Sequence, residues 1–255
     1  MCGACVEACP NSCHVITTTD SDEDSQSASI GEKMHRIDRS KCTACGECVD
    51  VCLSRAVQIK GEWMDVDEVV FRAERMKPFF QHSRGGVTLT GGEVCRQPEF
   101  ACAILEGCTR LGIHTAIETS GFAAPDALER IAGRTDLILF DLKLIDEEAH
   151  RAHTGGTNRT IVENLRRLPA DRVIVRVPLI PRITDTEENI RGIVDLAASL
   201  GIEHVHLLPY NAAAGAKYQW VGRPYPIEEA EQTRDDLDRL VGIAKESRVT
   251  ASVEA

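Results

Sequence analysis

The sequence predicts an α/β protein with a parallel sheet, and three observations carry that prediction. From about residue 62, short apolar runs alternate with amphipathic stretches of helical period. Glycines and polar residues gather directly after the apolar runs, at "TGGE", "ETSG", "DLK" and "PYN". The first 60 residues differ in texture and hold eight of the eleven cysteines.

Each element of the α/β region has its own signal. "DVDEVVFRAERMKPFF" has helical spacing, with Asp65 or Asp67 available as a cap. "GGVTLTGGE" reads as a strand ending in glycines, and "PEFACAILEGCTRLG" as a helix with its glycine stop. "IHTAIETSG" is the next strand, followed by a helix near 125–132 and the strand "LILFDLK". A helix near 158–168, strand "RVIVRVPLI", helix near 185–200 and strand "HVHLLPY" continue the alternation. A last helix is expected over roughly 227–246, with "VTASV" as the candidate sixth strand after five firm ones. That count is short of an eight-stranded barrel, and no G-x-G-x-x-G follows the first strand. Strand–helix–strand units of this kind form parallel sheets with right-handed crossovers, and ligands bind at the carboxyl ends of the strands.

Composition narrows the function classes. The chain has 255 residues, 43% of them hydrophobic, enough for a packed core. No run of about 18 apolar residues could span a membrane. No charged and apolar export signal opens the chain, so a cytoplasmic location is expected. The formal charge of -11 comes with no basic stripe, which argues against a nucleic-acid partner. Clustered cysteines in such a chain suggest metal or redox chemistry rather than structural disulfides.

The cysteines fall in two runs. "MCGACVEACP" holds Cys2, Cys5 and Cys9, a ferredoxin-like C-x2-C-x2-C-x3-C-P run without its first cysteine. Cys42, Cys45, Cys48 and Cys52 form a complete run. In such pairs the fourth cysteine of one run serves the other cluster. One [4Fe-4S] cluster would then take Cys42, Cys45, Cys48 and Cys9, and a second would take Cys2, Cys5, Cys52 and one further ligand, for which Cys13 is a candidate. The alternative for Cys42–Cys52 is a zinc ribbon, but zinc prefers two separated C-x2-C pairs. Cys13, Cys95, Cys102 and Cys108 read as small buried apolar residues. Between the runs, residues 17–33 are rich in Ser, Thr and Asp and read as a flexible insertion. These textures place a ferredoxin-like domain at 1–60 and the α/β domain at 61–255.

Two strand ends carry ligand-binding chemistry. "TGGE" ends in two residues without a Cβ, which lets a ligand approach the backbone, and Glu93 could hold an ammonium group. Gly-Gly after a strand is also simply a turn. "DLK" places Asp141 and Lys143 at one strand end, where a surface ion pair is the plain alternative.

Taken in order, these segments resemble the glycyl-radical-enzyme activases of the radical SAM superfamily. The resemblance rests on "CTACGECVDVC", "GGVTLTGGEVCRQPEF", "GIHTAIETSGF", "LILFDLKLID", "VIVRVPLIPRITD" and "HVHLLPYNAAAGAKY". It implies a partial (β/α)6 barrel lacking its first strand, with an inserted ferredoxin-like domain. It also implies S-adenosylmethionine (SAM) and [4Fe-4S] clusters as cofactors, a glycyl radical enzyme as partner, and flavodoxin or ferredoxin as electron donor. Gly91, Gly92 and Glu93 would hold the SAM amino group, with Thr119, Ser120, Asp141 and Lys143 nearby. Glu118 stands where many relatives have Asp beside a monovalent cation, and that departure leaves the cation open. Arg176 would face the methionine moiety. Asn211, where many members have His, would lie near the adenosyl group.

One departure is larger. No C-x3-C-x2-C occurs in the 255 residues: Cys5 and Cys9 have the x3 gap, but the residue three beyond Cys9 is Ser12. The resemblance places that triplet after the first barrel strand, before Met1 here, so an N-terminally incomplete activase is expected. As given, the chain would then be unable to cleave SAM. The rival expectations are an iron–sulfur electron-transfer or accessory protein, and a SAM-binding protein without radical chemistry.

Overall fold

The protein is described by a computed structural model covering residues 1–18, 33–220, 224–225, 227 and 231–254. Of the insertion expected at 17–33, positions 19–32 lie outside the described residues. The chain divides into two compact units: Met1–Trp63 with Ala213–Ile227, and Met64–Ala212 with Glu228–Ala255. Sequence texture had set a boundary near residue 60 and left 213–227 with the barrel.

The first unit opens with helix α1 (Ala4–Ala8), strands β1 (His14–Thr18) and β2 (Lys33–Ile37), and helix α2 (Glu47–Asp50). β1 and β2 pair antiparallel, with His14 opposite Ile37 and Ile16 opposite His35. The two helices begin alike. Gly3 and Gly46 precede them at φ 82° and 92°, a left-handed conformation that favours glycine. Each belongs to a C-G-x-C-V-x-x-C repeat, at Cys2–Cys9 and Cys45–Cys52. The two cysteine runs thus have equivalent local structure, each with the middle cysteine of the repeat, Cys5 or Cys48, on a helix.

The second unit begins with α3 (Val66–Ser83), which Asp65 caps by accepting the Glu68 N–H at 2.8 Å. There follow β3 (Gly86–Leu89), α4 (Pro98–Arg110), β4 (His114–Thr119), α5 (Pro125–Ala132) and β5 (Leu137–Asp141). Then come α6 (Glu147–Thr154), α7 (Arg159–Leu165), β6 (Val173–Pro178), α8 (Glu187–Leu200) and β7 (His204–Leu208). The chain passes through α9 (Gly215–Trp220), part of the first unit, before α10 (Arg234–Ile243) and β8 (Thr250–Val253). α6 was not expected: "EEAHRAHT" has no apolar stripe, and only His150 is buried in it. α10 starts later than expected because Thr233 and Asp236 form a reciprocal capping box at its N-terminus.

"VTASV" does form the sixth strand. All six strands pair in parallel in the order β3-β4-β5-β6-β7-β8. Sequential order with right-handed crossovers puts the connecting helices on one face, as in a partial barrel. The strands accordingly alternate. Ile117, Ile138, Phe140, Val175, Val177, Val205 and Leu207 are fully buried. Glu118, Asp141, Arg176 and His206 lie at half-buried positions. Asp141 is registered with Arg176, Arg176 with His206, and His206 with Ser252, one polar row across four strands.

Candidate active site at the strand ends

Polar groups converge at the carboxyl ends of β3 to β6. After β3, Gly91 (φ 144°) and Gly92 are exposed, and a Cβ on either would meet nothing within 4 Å, so the backbone is open to a ligand. Glu93 turns toward β4. Its Oε1 accepts from the Thr119 hydroxyl at 2.7 Å and the Cys95 N–H at 3.3 Å. Its Oε2 accepts from the Ser120 N–H at 2.9 Å and the Ser120 hydroxyl at 2.6 Å. Burial would push the Glu93 carboxyl up, but these hydrogen bonds outweigh it and hold the group below the usual carboxylate range. Glu93 therefore stays ionised and ties two loops together, contributing negative charge to the open space above Gly91 and Gly92.

The second group lies one strand further on. Arg176 Nη1 is 3.0 Å from Glu118 Oε1, and Arg176 Nε is 3.9 Å from Asp141 Oδ1. The longer Glu118 thus reaches a guanidinium. Asp141 Oδ1 is buried and has no hydrogen-bond partner among the described residues. Burial pushes the Asp141 carboxyl up; Lys143 and Arg176 oppose this, while Glu118 and Glu93 add to it. A buried carboxylate oxygen with an unfilled lone pair wants a donor, and an ammonium or hydroxyl of a ligand would supply one.

The loops are held by side chains that no motif flagged. Asn164 Nδ2, buried, donates to the Gly121 and Ala123 carbonyls at 2.8 and 2.9 Å, pinning the loop after β4. Asn189 Nδ2 donates to the Lys143 and Thr184 carbonyls at 2.9 and 2.8 Å, and its Oδ1 accepts the Ile145 N–H at 2.9 Å. Asn158 Nδ2 donates to the Leu144 and Ile145 carbonyls at 3.1 and 2.8 Å. Gln232 joins the ends of β6 and β7, accepting the Tyr210 N–H at 2.9 Å and donating to the Leu179 carbonyl at 3.3 Å. Asn211 follows Tyr210 and is exposed. His206 also escaped the motifs; the alternation in "HVHLLPY" places it on the Arg176 face, and burial pushes its imidazole pKa down.

In the first unit, thiols from both cysteine runs lie near Cys48. Burial raises the Cys48 thiol, and the neighbouring Cys42, Cys45 and Cys9 thiols raise it further. The sequence-derived quartet of Cys9, Cys42, Cys45 and Cys48 is therefore a set of electrostatic neighbours. Two of its sulfurs already accept backbone N–H groups: Cys9 from Cys13 at 3.3 Å and Cys42 from Ala44 at 3.4 Å. Both features suit thiolates around an iron–sulfur cluster, whose charge and sulfur hydrogen bonds set its potential. Cys13 is 1% exposed beside Cys9 and Cys42, and burial, aided by them, pushes its thiol up to about 11. Cys95, Cys102 and Cys108 are buried, as expected of apolar cysteines. Cys2 is exposed, Cys5 Sγ lies 3.7 Å from His35 Nε2, and Cys52 Sγ lies 3.7 Å from the Ser54 hydroxyl.

Residues 39–197 match the radical SAM superfamily, and residues 1–56 match the 4Fe-4S dicluster domain. The isethionate sulfite-lyase activating enzyme of Oleidesulfovibrio alaskensis is 40% identical over 248 residues, 94% of this chain and 76% of the relative. The chain belongs to the glycyl-radical-enzyme activating enzymes of the radical SAM superfamily. The choline trimethylamine-lyase activating enzyme of the same organism is 35% identical over 247 residues, with the same 94% and 76% coverage. A crystallised domain of the pyruvate-formate lyase-activating enzyme from Bacteroides vulgatus superposes with a TM-score of 0.56 at 27% identity. It is covered to 99% by 67% of this chain. As an activating enzyme of this superfamily, the chain has iron–sulfur clusters and SAM as its cofactors, which fits both the gathered thiols and the open, charged strand ends.

Proposed function

We propose that this activating enzyme binds SAM at the carboxyl ends of β3 to β7 and serves to generate a glycyl radical on a partner enzyme. The buried Asp141 Oδ1 carries this reading, because it accepts no hydrogen bond among the described residues and its nearest cation, Arg176, stands 3.9 Å away, beyond hydrogen-bond reach. SAM, when held there, would supply the radical chemistry for taking a hydrogen from a glycine of the partner enzyme. The chain's own part is to bind and orient. Gly91 and Gly92 admit the ligand to the backbone, Glu93 supplies fixed negative charge for its ammonium, and Thr119 and Ser120 hold Glu93 in place. Arg176, balanced between Glu118 and Asp141, offers a guanidinium to the ligand carboxylate. Lys143 and Asn211, at the ends of β5 and β7, are the remaining candidate contacts, Asn211 for ribose or adenine.

Residues 1–60 act as the electron-carrying domain and 61–255 as the SAM-binding domain. A [4Fe-4S] cluster held by Cys9, Cys42, Cys45 and Cys48 supplies one-electron transfer, with flavodoxin or ferredoxin as the donor class. The cytoplasm is the compartment proposed; no helix among the described residues is long and apolar enough to cross a membrane. No C-x3-C-x2-C occurs in the 255 residues, so the residues present do not fit the SAM-cleaving cluster and no cleavage step is assigned to them. The match of residues 1–56 to the 4Fe-4S dicluster domain is what a second reading, an electron-transfer or accessory role, would rest on.

Equilibrium dialysis of labelled SAM against the anaerobically purified chain tests the proposal. Saturable binding that weakens in Asp141→Asn and Arg176→Gln supports it. Absence of SAM binding, with a reducible cluster still present, leaves the accessory role.

A further inference from the structure

At the end of the sheet opposite the candidate SAM site, three basic side chains surround a cavity of about 200 Å³. Lys77 and Arg84 come from the end of α3, and His114 is the first residue of β4. Phe80 and Ile113 wall the cavity. Among the described residues no carboxylate lines it, in a chain whose formal charge is -11.

The backbone is built to bring these groups together. β3 pairs with β4 with Gly86 opposite His114, and a Cβ at Gly86 would lie 2.0 Å from the His114 carbonyl oxygen. Glycine alone allows that approach, which sets the last turn of α3 against the start of β4. Arg84 ends α3 at φ 58°, a left-handed stop that ordinarily takes glycine. The arginine therefore carries backbone strain that glycine would relieve.

Cations near helix C-termini commonly serve the last carbonyls. Here those carbonyls are served by other groups. The Phe80 carbonyl accepts the Arg84 N–H and, at 3.1 Å, the Gly85 N–H. The Phe79 carbonyl accepts the Ser83 hydroxyl at 3.0 Å, and the Cys108 carbonyl accepts the Ile113 N–H at 3.0 Å. Among the described residues, the side chains of Lys77, Arg84 and His114 enter no hydrogen bond and no ion pair. Their donors are available to a ligand in the cavity.

We propose that Lys77, Arg84 and His114 form a binding site for a phosphate-type oxyanion. An ammonium, a guanidinium and an imidazole N–H offer it charge-assisted donors, and the guanidinium fork matches a pair of its oxygens. Phe80 and Ile113 give the cavity an apolar wall that suits the organic part of a phosphomonoester. Five steps of β4 at about 3.3 Å each put His114 roughly 16 Å from Thr119, which holds Glu93. The site is therefore distinct from the SAM site, and the inference stands apart from the proposed function.

The test titrates inorganic phosphate into the full chain at constant pH and ionic strength. It follows the ring resonances of His114, assigned through His114→Asn. A saturable shift is expected with phosphate and none with chloride. Lys77→Gln and Arg84→Gly should each weaken binding about tenfold, the loss of one charge-assisted contact. Arg84→Gly also relieves the left-handed strain, so its Tm should equal or exceed that of the parent while binding falls, which separates ligation from folding. Phenyl phosphate binding more tightly than phosphate assigns the cavity to a phosphomonoester, and equal affinity assigns it to the free ion; both uphold the site. A response to phosphate that does not saturate, or affinity unchanged in Lys77→Gln and Arg84→Gly, would overturn the assignment.

Discussion

Glu93 and Ser120 are joined by two hydrogen bonds to one carboxylate oxygen, from the Ser120 N–H at 2.9 Å and its hydroxyl at 2.6 Å. With Thr119 and Cys95 on the other oxygen, the carboxylate has no acceptor position left for a fifth in-plane donor. Glu93 therefore acts on a ligand through its charge and through the loop geometry it fixes.

Glu93→Gln turns two of those acceptors into an amide that faces donors. It should cost about 2 kcal/mol, a fall in Tm of roughly 4–8 °C for a unit of this size. The pH dependence has a definite sign. The folded-state pKa is depressed, so the contribution of Glu93 is present above the ordinary carboxyl pKa of about 4.3 and is lost as pH falls through the lower folded value. Thermal melts of the two proteins should differ most at neutral pH and converge in acid. A difference that grows on acidification would show that the charge of Glu93 is not what the loop uses.

Asp141 has the opposite sign. Burial raises its pKa, so its ionised form weakens the fold as pH rises through the folded value. Asp141→Asn should be as stable as the parent or more so at neutral pH, while SAM affinity drops by about tenfold, the loss of one charge-assisted hydrogen bond. Calorimetry and dialysis on the same samples separate the two effects. Loss of stability with affinity intact would place Asp141 in the scaffold alone.

The loop after β4 tolerates little. Gly121 has φ 71°, and a Cβ there would lie 2.2 Å from the buried Phe140 ring. Gly121→Ala should cost about 3 kcal/mol, combining overpacking with left-handed strain. Asn189→Ala should cost a similar amount, about 3 kcal/mol, since it strands two carbonyls and an N–H that define the loop bearing Lys143. Urea denaturation monitored by circular dichroism measures both. A midpoint shift of Asn189→Ala near zero would mean that water replaces the clamp.

Much of this was legible in the residues. Five strands were countable, with a sixth as a candidate, because each is a short run of apolar residues between helical stretches, and the strand-end expectations follow from where such sheets bind ligands. α6 was not legible, because its fold-forming information is its Asp146 cap and one buried histidine rather than an apolar stripe. The Asn158, Asn164 and Asn189 clamps were hidden for a related reason. Their value comes from loop carbonyls brought close only by folding, and nothing in local sequence marks an asparagine as buried. The ferredoxin-like spacing predicted that Cys9 joins Cys42, Cys45 and Cys48; the structure shows only that the other three thiols are near enough to raise the Cys48 thiol. The spacing gave no sign that His14 and His35 would meet at Cys5.

The quartet makes a selective prediction. Serine at Cys9, Cys42, Cys45 or Cys48 should each lower bound iron and sulfide by about one cluster's worth and bleach the visible absorption. Serine at Cys102 or Cys108 should leave iron content unchanged and lower stability instead. Equal iron loss from both groups would point to general unfolding rather than ligation.

The most direct test of the account is a single assay of the iron-reconstituted 255-residue chain with SAM and dithionite, quantifying 5′-deoxyadenosine by chromatography. The account predicts SAM bound at the strand ends but no 5′-deoxyadenosine above the protein-free control, because the chain contains no C-x3-C-x2-C. Release of 5′-deoxyadenosine in amounts equal to or above the protein present would contradict it.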